Sequence, residues 1–218
     1  MMDINAFLLV IGIIGTVAYS ISGALTGIEN KLDAFGVVVL AVITATGGGF
    51  LRDLIMGKEH FVIFDEWWYP LIACGVSMIV FLIMWFIRNL AWEDSKVYRL
   101  TYLIIDAIGL GTFVVVGGLK AQTNGINGAG IVMFYSVLTC VGGSMLRDVL
   151  VCRIPVIFRK HIYAVAALIG AGIYVGLCAL KANIWINSVT VISVVVIIRF
   201  LAAHYKWNFP RINLKNEE

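Results

Sequence analysis

The chain has 218 residues, of which 61% are hydrophobic and only 13% charged, with a formal net charge of +3. A soluble domain carries about twice that charged share, so an ordinary soluble enzyme or binding domain is excluded. The basic residues are scattered over short loops with no common face that could follow phosphates, which argues against a nucleic-acid partner.

Apolar runs long enough to cross a bilayer, roughly 20 residues each, recur along the whole chain, at 5–26, 34–55, 69–88, 101–121, 129–150, 162–180 and 185–203. The expected fold class is an all-α integral membrane protein with seven transmembrane helices in a single membrane domain over 1–218. Ahead of the first span stands Met1-Met2-Asp3-Ile4-Asn5, which lacks the basic region of a signal peptide, so this span reads as a mature helix. The second span carries Thr44-Ala45-Thr46-Gly47-Gly48-Gly49-Phe50-Leu51-Arg52-Asp53. The segment from Lys58 to Tyr69, with Phe61, Phe64, Trp67 and Trp68, has the aromatic character of a membrane interface. Span four holds Asp106 and Lys120, fourteen residues apart and so on nearly one helix face. Span five contains Thr139-Cys140-Val141-Gly142-Gly143-Ser144-Met145-Leu146-Arg147-Asp148. The basic segment Arg153 to His161 follows, a candidate contact for anionic membrane lipids. After span seven, residues 204–218 form a polar tail.

With the N-terminus outside, Lys31, Arg88, Lys96, Arg99, Arg153, Arg159, Lys160, Arg199, Lys206, Arg211 and Lys215 fall inside, against Lys58, Lys120 and Lys181 outside. The positive-inside rule therefore predicts N-out, C-in. Cys74, Cys140, Cys152 and Cys178 have no metal-ligand spacing and read as small buried hydrophobes. His60, His161 and His204 stand at membrane edges without ligand spacing, and no metal or cofactor is expected.

The two glycine-bearing segments share the skeleton T-x-x-G-G-x-x-L-R-D at an offset of 95 residues. Gly23 and Gly118 match at that offset, and Val62-Ile63-Phe64, Tyr69 and Ala73 match Val156-Ile157-Phe158, Tyr163 and Ala167 at 94. Each repeat covers three spans (3–92 and 98–182), an odd number, so the second enters from the opposite side and the two are inverted. Span seven, 185–203, has no counterpart.

A glycine costs a helix interior about 1 kcal/mol relative to alanine. Three at 47–49, and Gly142-Gly143-Ser144 in the second copy, predict a kink or an unwound turn in spans two and five. Freed carbonyls, with the hydroxyls of Thr44, Thr46 and Thr139, would suit a cation. Close helix packing is the competing reading of the same glycines. A second half-helix starting near Phe50, or Met145, would place Asp53 and Asp148 in its first turn, and Arg52 and Arg147, adjacent to them in sequence, would find partners on other helices. The Arg-Asp pairs serve either conduction or structure, Asp106 either a path or an arginine, and Lys120 either a gate or the interface. A leucine at Gly48 or Gly143 is expected to abolish flux from a still-folded oligomer.

This doubled motif, spread over two inverted three-span repeats plus a seventh span, resembles the trimeric intracellular cation channel family, in particular its prokaryotic branch, whose domain also carries the label glycine transporter. The resemblance covers all seven spans. It implies a homotrimer with one pore per subunit, lined by kinked spans two and five at Gly47-Gly48-Gly49 and Gly142-Gly143, and permeable to potassium and other monovalent cations. Ser144 departs from the glycine triplet. The lipid-binding signature of animal members is not evident, so the resemblance does not carry phosphoinositide regulation over, and the tail is shorter than their long basic tails, which favours the plasma membrane of a prokaryote. The alternative function is a secondary transporter of a small solute such as glycine, working by alternating access of the inverted repeats. No His-Glu-x-x-His or Gly-x-Ser-x-Gly motif is present, and the chain is not expected to be an enzyme.

Overall fold

The computed structural model describes residues 4–87, 96–159 and 161–207. Arg88, Lys160, Arg211 and Lys215, and most of the polar tail, lie outside the described residues. Nine helices follow in order among the described residues: α1 Ile4–Glu29, α2 Ala34–Ile55, α3 Val62–Asp65, α4 Trp68–Ile87, α5 Lys96–Thr123, α6 Ala129–Leu150, α7 Val156–Arg159, α8 His161–Ala179 and α9 Ile184–His204. Seven are long and apolar enough to cross a membrane. The two short ones, α3 and α7, start at the paired residues Val62 and Val156.

The repeat is written into the helix ends. After α1, Lys31 takes a left-handed φ of 58° and the Leu32 amide donates back to Gly27 O; after α5, Gly125 (φ 80°) and Ile126 donating to Ala121 O do the same. After α2 the pattern is Gly57 (φ 67°) with Lys58 donating to Asp53 O, and after α6 it is Cys152 (φ 54°) with Arg153 donating to Asp148 O. Each is a left-handed cap that returns an amide to an otherwise unpaired carbonyl of the last turn. Glycine fills one member of each pair, and a side-chain-bearing residue tolerates the strained conformation in the other. Cys152 is accordingly exposed, not a buried hydrophobe; Cys140 is buried, and Cys74 and Cys178 are half-buried.

The repeats α1-α2-α4 and α5-α6-α8 pack with mirrored pairings and meet where α2 crosses α6. A β-carbon on Gly48 would lie 2.0 Å from Thr139 O, and one on Gly143 would lie 2.0 Å from Thr44 O. These reciprocal contacts are the mark of a two-fold relation between inverted halves. The expected unwound turn is not formed, since residues 47–49 and 142–144 keep helical backbone. The glycines instead let two backbones touch, and that contact offsets their poor helix propensity.

α9 packs mainly on α5 and α8, so it covers the second repeat and touches the first only marginally, at Phe7. Hence α5 is buried over 72% of its most apolar window, while α4, in the uncovered repeat, is buried over 11%. The bare face of α4 carries Leu71, Ile79, Leu82, Ile83, Trp85 and Phe86, as suits a surface against lipid or other apolar matter. α1 and α9 begin at one end of the bundle, where the Phe7 and Trp185 rings meet at 4.8 Å. That end is termed the N-terminal face, and the end where α9 finishes the C-terminal face.

Candidate functional site

Arg52 and Asp53 lie in the last turn of one unbroken α2, as Arg147 and Asp148 do in α6. They are not in the first turn of a second half-helix. A carboxylate there faces the negative end of the helix dipole, so it needs a nearby cation. Its own neighbour supplies one. Arg52 Nη2 reaches Asp53 Oδ1 at 2.7 Å, and Arg147 Nη2 reaches Asp148 Oδ1 at 2.8 Å. The expectation of partners only from other helices fails because an arginine is long enough to curl over the carboxylate beside it.

The two pairs differ in what else they touch. Toward the C-terminal face, Arg147 Nη1 also donates to Ser22 Oγ at 2.7 Å and approaches Asp106 Oδ1 at 3.4 Å. Ser22 Oγ donates to the same Asp106 oxygen at 3.0 Å, while Arg199 Nη2 on α9 sits 3.3 Å from Asp106 Oδ2. Asp148 Oδ2 accepts the Val156 amide at 2.9 Å, anchoring the start of α7. Two arginines and two aspartates therefore form a charge-balanced network, all nine-tenths or more buried. Such a network holds only while every member keeps its partner. Arg199, read from sequence as an inner-face basic residue, is buried inside this network with its guanidinium 4.5 Å over the Tyr163 ring.

Between this network and the glycine crossing stand two adjacent buried tyrosines, each donating its hydroxyl elsewhere. Tyr19 donates to Cys140 O and lies 3.3 Å from Tyr163 Oη, which donates to Ser144 Oγ at 3.0 Å. Both rings are only 1% exposed. Ser144, which departs from the glycine triplet, accepts from Tyr163 and donates to Val141 O at 3.0 Å. Sequence reasoning missed Tyr19, Ser22 and Arg199; Tyr163 appeared only as a repeat match.

Toward the N-terminal face lies a cavity of about 50 Å³. Thr16, Thr46, Gly49, Phe113 and Thr139 line its depth, and Arg52, Glu66, Tyr69 and Lys120 line its mouth. A wider space of about 360 Å³ adjoins it, sharing Leu8, Glu66, Tyr69 and Lys120. Lys120 Nζ donates to Glu66 Oε1 at 3.0 Å where the two spaces meet, so Lys120 stands at the opening. Asp106 and Lys120, paired by spacing, serve opposite ends of α5. The Lys58 ammonium is held below the usual lysine range mainly by burial, with Arg52 and Lys120 adding repulsion against the attraction of Asp53 and Glu66.

Thr44, Thr46 and Thr139 spend their hydroxyl hydrogens on the carbonyls of Leu40, Val42 and Tyr135. Thr46 and Thr139 still line the cavity and keep oxygen lone pairs; Thr44 is buried at the helix crossing. Gly47, Gly142 and Gly143 pack against Leu146, Gly48 and Thr44 respectively. Arg153, expected to meet lipid, donates to Glu29 Oε2 at 3.0 Å. His60 and His204 are exposed, and no metal-holding cluster occurs among the described residues.

A family model described as "Glycine transporter" matches the chain twice, over residues 9–85 and 103–179. The chain belongs to that family. Its two matched stretches coincide with the two halves that meet at Gly48 and Gly143. The membrane protein YvgT of Bacillus subtilis is 34% identical over 92% of this chain and 94% of its own length. The inner membrane protein YadS of Escherichia coli K12 is 33% identical over 90% of each. Among solved structures, a TRIC cation channel studied for conductance matches with a TM-score of 0.80 and 31% identity, over 94% of this chain and 97% of that one. The TRIC trimeric intracellular cation channel orthologue of Rhodobacter sphaeroides matches with a TM-score of 0.82 and 28% identity, over 92% and 99%. The resemblance to the trimeric intracellular cation channel family, prokaryotic branch, is thereby established for this chain.

Proposed function

We propose that the protein is a cation channel permeable to potassium and other monovalent cations, working as a homotrimer with a pore in each subunit. The observation that carries this reading is the full-length likeness to solved TRIC cation channels at about 30% identity. The site supports it. A cavity opens at the N-terminal face and ends beside the glycine crossing, lined at depth by the threonine oxygens of Thr46 and Thr139. The path would continue past Tyr19 and Tyr163 toward the C-terminal face, so the conformation described is a closed one. The arginines do not bar a cation path by charge alone, because each is matched by an adjacent aspartate. Gly47, Gly48, Gly142 and Gly143 act by letting the pore helices approach. The basic excess on the C-terminal face supports a plasma-membrane protein of a prokaryote with its N-terminus outside, and the bare apolar faces would meet lipid or sister subunits.

The test is a planar bilayer holding the purified protein with potassium chloride asymmetric across it. Unitary currents reversing near the potassium equilibrium potential are expected. The second reading, alternating-access transport of a small solute such as glycine, is favoured by a cavity open at one face and shut toward the other. Saturable glycine counterflow in liposomes from a preparation silent in the bilayer would replace the channel with that transporter.

A further inference from the structure

The duplication leaves one donor over. In the second repeat Arg147 Nη1 is taken by Ser22 and Asp106. At the offset of 95, Ser22 corresponds to Gly117 and Asp106 to Ile11, neither of which offers a side-chain acceptor. Arg52 donates to Asp53 through Nε and Nη2 only, and its Nη1 has no hydrogen-bond partner among the described residues. Arg52 as a whole is 1% exposed, yet it lines the cavity at the N-terminal face. Nη1 is not sealed from solvent, so it remains free to take an acceptor from the cavity that Arg52 lines.

The surroundings say what that occupant is. Lys120 shares the cavity wall, and its ammonium gives one of three donors to Glu66. Lys58 stands near enough to feel both Arg52 and Lys120. The cavity wall itself holds two cations, Arg52 and Lys120, against one carboxylate, Glu66, which leaves a single positive charge in excess there; Asp53 pairs with Arg52 from outside the wall, and Glu59 and Asp65 on the connecting segment are exposed to solvent. At about 50 Å³ the space holds a few water-sized groups, since one water needs roughly 10–15 Å³. We propose that this cavity is a binding site for one small monoanion, a halide or a carboxylate of one or two carbons, held between Arg52 Nη1 and Lys120. The anion completes in the first repeat what Ser22 and Asp106 complete in the second. It also cancels the excess positive charge at the mouth. The site stands independently of the channel reading.

The experiment is thermal unfolding of the purified protein in detergent at constant potassium and ionic strength, with chloride or formate replacing gluconate. A saturable rise in midpoint is expected for chloride and formate and none for gluconate, whose six-carbon chain is too large for the cavity. Lys120→Gln should raise the half-saturating concentration about tenfold or more, as loss of a charged donor implies. Arg52→Lys should do likewise, because it keeps the charge beside Asp53 but removes the planar fork; if it fails to fold, Lys120→Gln alone decides. An equal response to gluconate, or an unchanged half-saturation in the folded variants, overturns the proposal. Saturable binding without cation current keeps this site and leaves the channel reading to the counterflow test, while current without saturable binding removes this site and keeps the channel.

Discussion

The same dipeptide sits in two settings at opposite faces of the bundle. Arg147-Asp148 is enclosed by Ser22, Asp106 and Arg199 in a balanced buried network. Arg52-Asp53 is packed as tightly, but part of its guanidinium looks into a cavity beside a Lys120–Glu66 pair that is itself partly open to solvent. Duplication supplies a common scaffold, and the residues facing the arginine decide whether it braces the fold or remains available. Ser22 against Gly117, and Asp106 against Ile11, make that difference. The unpaired α9 deepens it by adding Arg199 to one side only.

The largest effect is expected at Asp106. Asp106→Asn leaves two buried arginines facing one aspartate, and loss of a buried partner costs about 3–5 kcal/mol. A sharp fall in the unfolding midpoint, or in the folded fraction by size exclusion, checks it; a shift as small as that of a surface variant would dissolve the contrast between the two faces. Next comes the glycine crossing. Gly48→Ala and Gly143→Ala each drive a methyl into a backbone carbonyl and should cost about 1–3 kcal/mol or more, as overpacking does. Gly49→Ala meets only Arg52 Nη2, at 3.8 Å, and should be neutral or stabilising by up to about 1 kcal/mol. Comparing the three unfolding midpoints separates close packing from a general need for glycine. It also revises the expected leucine variants, which should disturb folding before flux.

Ser22→Ala removes the hydrogen bond that Arg147 has and Arg52 lacks. A loss of about 1.5–3 kcal/mol, typical of a bond to a charged group, is expected in chemical denaturation. The smallest effect on stability belongs to Lys120→Gln, because a partly solvated pair contributes about 0–1 kcal/mol. Measured in gluconate, its unfolding midpoint should barely move, while current amplitude through the bilayer changes. The opposite pattern would mean that the N-terminal face, too, is only structural.

The sequence by itself determined seven spans, the inverted duplication and the charged motif, because these depend on hydropathy and spacing within one stretch of chain. It also pointed to Lys120 and Arg52 as charges with a stake in the site. Only the tertiary structure decided what the glycines do. A triplet disfavours an isolated helix, yet α2 and α6 stay unbroken because each crosses the other at backbone contact, a stabilisation that exists only once both are folded. Likewise Arg199 finds Asp106 across 93 residues, and Tyr19 finds Tyr163 across 144, with no local signal to announce either. Which arginine is enclosed and which faces a cavity depends on the residues opposite, and the identity of the opposite residues is a property of packing between helices.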